Sequence, residues 1–114
     1  MVGCHVSRGL DEYKKSIMLT YEMALEALED KNLKGWRKLV TQFYDQLPES
    51  VEVISVYQKW GGLRFDIRPD DYEAERLIEA IDQESRSICE ICGELAGEVR
   101  IEGETRTLCG FHAG

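Results

Sequence analysis

From Leu10 to Leu28 the apolar residues Leu10, Tyr13, Ile17, Tyr21, Ala24 and Leu28 recur at three- and four-residue steps, with Asp, Glu and Lys in the gaps. This period predicts an amphipathic helix over 10–28. Asp30-Lys31-Asn32 interrupts it. A second helix is then expected in which Trp36, Leu39, Val40, Phe43, Tyr44 and Leu47 form one stripe, until Pro48 stops it. The short connection makes the two helices antiparallel, and the aromatic stripe reads as core.

The pattern then changes to alternation. Val51 to Trp60 and Leu63 to Arg68 are rich in β-branched and aromatic residues and flank Gly61-Gly62. Tight hairpin turns need positive φ, so the two glycines predict a two-residue turn. Trp60 would then face Leu63, Gln58 would face Phe65 and Val56 would face Ile67. Ile54, Val56, Trp60, Leu63, Phe65 and Ile67 would share a buried face. Lys59, Arg64, Asp66 and Arg68 would form an exposed cross-strand charge set on the other. After Pro69 a third helix is expected, with Asp70 as N-cap and Glu73 as its capping-box partner. Ala74, Leu77, Ile78, Ile81 and Ile88 supply its apolar stripe, and acidic residues fill the remainder. A last alternating segment, 97–102 and 105–108 around Gly103-Glu104, predicts a small hairpin.

These elements define an α+β fold: two N-terminal helices, a β-hairpin, a third helix and a C-terminal hairpin. With no Gly/Ser/Pro-rich linker or repeat, 1–114 reads as a single domain, with 1–88 as its core and 89–114 as a metal-binding subdomain.

The metal reading comes from Cys89-Glu90-Ile91-Cys92, then sixteen intervening residues, then Cys109-Gly110-Phe111-His112. Two short ligand pairs separated by one hairpin suit a tetrahedral zinc ion, held by Cys89, Cys92, Cys109 and His112. Gly93 and Gly110 leave room for backbone amides to tilt towards the sulfurs. A disulfide or four unrelated residues are the alternatives, and the spacing disfavours both. One ligand pair at each end of a hairpin is the arrangement of zinc ribbons and treble clefs. A full treble clef needs a helix after its third ligand, and little chain follows Gly110, so a ribbon-like site or a single helical turn is expected. Four protein ligands leave no position for a reactive water, making one structural Zn2+ ion the expected cofactor. Glu90, between two ligands, is expected to face solvent. Cys4-His5 is a second Cys/His pair that could contact metal.

Catalytic motifs are lacking. There is no HExxH, no deaminase signature, no nucleophile elbow, no P-loop and no dinucleotide fingerprint, so the protein is expected not to be an enzyme. The formal charge is −8, from 22 acidic against 14 basic residues, which repels nucleic acid on average. Arg64, Arg68, Arg100 and Arg106 are interleaved with acids. A protein partner, itself basic and nucleic-acid-binding, fits this charge better. Direct nucleic-acid binding through Arg100, Arg106 and the zinc hairpin is the alternative. No secretory h-region or membrane span is apparent, so a cytoplasmic location is expected, and the oligomeric state is left open.

Four segments in order, Gly35-Trp36-Arg37-Lys38-Leu39, Lys59-Trp60-Gly61-Gly62-Leu63-Arg64-Phe65, Cys89-Glu90-Ile91-Cys92-Gly93 and Arg106-Thr107-Leu108-Cys109-Gly110-Phe111-His112, carry a resemblance. Over residues 35–112 the chain resembles small uncharacterised bacterial and phage-borne proteins with K-F/W-G-G-L-R-F and C-E-x-C-G…R-T-L-C-x-x-H motifs. The resemblance implies zinc at the four ligands and a prokaryotic or mobile-element origin, and it implies no settled activity. Helix 10–28 and Asp66-Ile67-Arg68-Pro69 look particular to this chain. Small size, acidity and this resemblance together suggest a phage- or plasmid-type inhibitor of a host nucleic-acid-binding or defence protein.

Overall fold

The computed structural model describes residues 18–113. Leu10, Tyr13, Ile17, Cys4 and His5 lie outside the described residues. Helix α1 spans Tyr21–Asp30, so the periodicity predicted too early a start within this part of the chain. Thr20 takes the N-cap position instead of a helical one, its hydroxyl accepting from the Met23 amide at 3.2 Å. Before it, the Leu19 amide bonds the Val53 carbonyl at 2.7 Å. Asn32, at φ 61°, turns the chain. One 3₁₀ turn, Lys34–Trp36, then leads into α2, Arg37–Gln46. Trp36, Leu39, Val40 and Phe43 of the expected stripe are buried.

Strands β1, Glu52–Lys59, and β2, Gly62–Arg68, form an antiparallel hairpin. Its register differs from expectation by two residues: Lys59 pairs with Gly62, Gln58 with Leu63 and Val56 with Phe65. The turn is Trp60-Gly61, with φ of 53° and 86°, the two positive values of a type I′ turn. Trp60 is therefore 70% exposed rather than in the core. The second glycine serves a different need. A Cβ on Gly62 would lie 1.9 Å from the Asp82 carboxylate, so Gly62 is where β2 passes close to the third helix. A bulge between Val53 and Ser55 re-phases β1, so that Val53 and Val56 are both buried. The outward face is polar as predicted: Ser55 and Tyr57 donate to Asp66 at 3.0 and 2.9 Å, and Arg68 pairs with Glu52 at 3.7 Å.

Helix α3, Tyr72–Ser85, is capped by Asp71 rather than Asp70. The Asp71 carboxylate accepts from the Ala74 amide at 2.9 Å. With the cap one residue later, the third helical position is Ala74, and Glu73 cannot close a capping box. Ser85 is buried at the end of α3, where its hydroxyl accepts from the Leu63 amide and donates to the Asp82 carbonyl. Helices α1 to α3 and the β1–β2 hairpin enclose the main core, in which Phe43 and Phe65 stack at 3.9 Å.

Strands β3, Gly97–Ile101, and β4, Glu104–Leu108, form the second hairpin. Its turn is Glu102-Gly103, again with both φ values positive, one residue earlier than predicted. A single turn, α4, Gly110–Ala113, follows. A second small cluster of Cys89, Leu108 and Cys109 lies at the base of this hairpin. Among the described residues, no helix is long and apolar enough to cross a membrane.

Candidate metal centre

The chain after α3 forms a tight knuckle. The Cys89 amide bonds the Glu94 carbonyl at 2.7 Å, and the Gly93 amide returns to the Cys89 carbonyl at 2.9 Å. Gly93 closes the knuckle at φ 87°, a conformation natural to glycine. At the other end of the β3–β4 hairpin, α4 turns His112 back over Cys109, and the Ala113 amide bonds the Cys109 carbonyl. The knuckle and this turn bring all four predicted ligands together, with donor atoms within 4.8 Å of one another.

The spacing of those atoms tests whether a metal fits. Zinc bonds of about 2.3 Å to sulfur and 2.05 Å to nitrogen give tetrahedral edges of roughly 3.8 Å between sulfurs and 3.6 Å between sulfur and nitrogen. Cys92 Sγ and Cys109 Sγ are 3.7 Å apart, and Cys89 Sγ lies 3.6 Å from His112 Nδ1. Cys109 Sγ is 3.3 Å from the same nitrogen. These three spacings match edges of a metal tetrahedron, while a disulfide would need about 2.05 Å. The three cysteines are free thiols, so the cluster can hold a metal ion.

In the metal-free cluster, hydrogen bonding with the backbone amide of His112, and then with its ring, lowers the Cys109 thiol pKa to about 6. An unfolded cysteine titrates near 8.5. The folded thiolate therefore contributes stability that is fully present above the unfolded value and is lost as pH falls through about 6. Protons compete with the metal in the same direction. Metal retention followed by a chromophoric chelator should fall as the pH is lowered, because protons compete with the metal for the thiolates and the imidazole; retention unchanged from about pH 9 to about pH 3 would contradict it.

Glu90 departs from expectation. It is fully buried instead of facing solvent, because the knuckle aims the residue between its two ligands at the first hairpin. Its carboxylate accepts from Arg106 Nε at 2.5 Å, from the Thr107 amide at 3.1 Å and from Gln58 Nε2 at 3.1 Å. Its backbone bonds the Thr107 carbonyl and the Gly35 amide. One residue thus ties together the knuckle, β1, β4 and the 3₁₀ turn. Nearby, Thr107 Oγ1 donates to the Gly61 carbonyl at 2.6 Å, docking the first turn on β4. Trp36 Nε1 donates to the Ile88 carbonyl at 2.8 Å. Arg106 is therefore engaged by Glu90, whereas Arg100 is exposed and reaches the Gly103 carbonyl at 3.3 Å.

Gly35 completes the joint. A Cβ there would lie 2.1 Å from the Cys89 carbonyl and under 3 Å from the Cys92 and Gly93 amides. Gly35→Ala should push the 3₁₀ turn off the knuckle, costing about 3 kcal/mol, the upper range for overpacking. Thermal unfolding and metal retention should both fall; unchanged values would mean the joint is loose.

Neither models of known protein families, nor curated proteins, nor solved structures give a match to this chain.

Proposed function

We propose that the cluster is a structural zinc site of zinc-ribbon type, and that the protein is not an enzyme but acts by binding another protein. The observation that carries this reading is the clustering of Cys89, Cys92, Cys109 and His112, four protein donors within 4.8 Å of one another. Such a centre holds shape and leaves no open coordination position. Large apolar side chains stand in solvent on this frame: Trp60 is 70% exposed, Leu95 85% and Phe111 87%. Two are aromatic, the class enriched where proteins meet. The charge of −8 favours a basic partner, and a phage- or plasmid-type inhibitor of a host nucleic-acid-binding or defence protein is the sharper form of this reading.

The test compares proteins recovered from the native host on immobilised parent and on the Trp60→Ala and Phe111→Ala variants. A specific protein held by the parent and lost from a variant that still carries full zinc supports the proposal. Equal recovery on all three removes the role of these side chains, and a gel shift at low salt with DNA or RNA would favour direct nucleic-acid binding.

A further inference from the structure

Cations are unevenly distributed along this acidic chain. Lys31, Lys34, Arg37 and Lys38 fall within eight residues, and no acid occurs between Asp30 and Asp45. Lys31 donates to the Val56 carbonyl at 2.6 Å. Lys34, Arg37 and Lys38 take part in none of the ion pairs among the described residues. All three line one open cavity of about 550 Å³ between the start of α2 and the metal knuckle. Tyr21 and Thr41, whose hydroxyls are 2.8 Å apart, line its other side. Glu94 is the one carboxylate among the lining residues, facing three cations.

We infer that this cavity binds a small phosphorylated molecule, of about the size of a mononucleotide. Small-molecule sites occupy roughly 300–1,000 Å³, and this cavity lies within that range. Clustered Arg and Lys without carboxylate partners suit phosphate oxygens, Arg through its fork and Lys as a point charge. Thr41 Oγ1 donates to the Arg37 carbonyl at 3.3 Å and accepts from Tyr21, so the hydroxyl pair offers acceptors to the remainder of the ligand. A long polyanion would instead run out of the cavity over a surface whose net charge is −8. The knuckle forms one wall through Cys92 and Gly93, so metal occupancy and ligand binding are coupled. This site is independent of the protein partner proposed above.

The test is a titration of the zinc-loaded full chain followed by amide resonances, with ADP, adenosine and a short single-stranded oligonucleotide as probes. ADP should move the resonances of residues 34–41 and 92–94, adenosine should not, and added salt should weaken the effect. The triple variant Lys34→Ala, Arg37→Ala, Lys38→Ala changes only exposed side chains and should keep its zinc and its fold. It should bind ADP at least about tenfold more weakly, given that each charge-assisted contact contributes on that order. The inference is overturned if millimolar ADP leaves these resonances still, if adenosine moves them equally, if the triple variant binds as well as the parent, or if the oligonucleotide alone occupies the cavity.

Discussion

Cys92→Ser should release the metal and unfold the chain from residue 88 to 113 while leaving the main core in place. Cys92 is the exposed ligand of the cluster, so serine removes a coordinating thiolate with little loss of packing. The second cluster contains few apolar side chains beyond the ligands Cys89 and Cys109 themselves, too few to hold this segment without metal. Structural zinc supplies on the order of 10 kcal/mol to small domains, comparable with the whole stability of a typical one. Metal content should fall from one ion per chain to near none in buffer with competing chelator. Amide hydrogen exchange should accelerate from residue 88 onward and stay slow at Phe43, Val56 and Ile81, which belong to the main core. A variant that keeps its metal with parental exchange would show that the thiolate is not a ligand.

Glu90→Ala should be the most damaging substitution outside the ligands. It removes the acceptor of three donors at once: the Arg106 guanidinium, the Thr107 amide and the Gln58 side chain. Thr107 is itself buried, so its amide has no water to turn to. Arg106 keeps some access to water, so stranding it costs less than in a fully buried pair, and the orphaned buried amide adds about 1–3 kcal/mol. Glu90→Gln should lose less, since its carbonyl can still accept from Thr107. Chemical denaturation at fixed zinc measures both, and a loss below about 1 kcal/mol for Glu90→Ala, the worth of one ordinary hydrogen bond, would demote the junction to a chance contact. The double variant with Arg106→Ala should lose less than the two single losses added together, because each single change strands the other partner.

The four residues that the structure clusters could be picked out from the sequence because metal chelation demands short, fixed spacings, and those spacings survive without knowledge of the fold. The helical stripe from Trp36 to Phe43 was legible for a similar reason: period and burial coincide there. Position-level detail was lost where a residue answers to something far away in sequence. Gly61-Gly62 looks like a turn, yet Gly62 is small because Asp82 passes beside it, and the turn moves back onto Trp60. Thr20 and Asp71 end their helices through single side-chain bonds that the apolar periodicity does not encode. Glu90 carries no local sign of burial at all. Its partners lie 32 residues before it and 16 after it, and only folding brings them together. Gly35 likewise carries no local sign of its role, since the Cys89 carbonyl that a Cβ there would meet lies far along the chain.

The contrast between the two tryptophans has a practical use. Trp36 is wholly enclosed, with its indole N–H bonded to the Ile88 carbonyl just before the first ligand, whereas Trp60 stands in water. Their emission spectra therefore separate into a blue and a red component. In a Trp60→Phe background the remaining fluorophore sits at the joint between the two clusters, so its colour alone tells whether the metal-binding half is seated on the rest of the molecule.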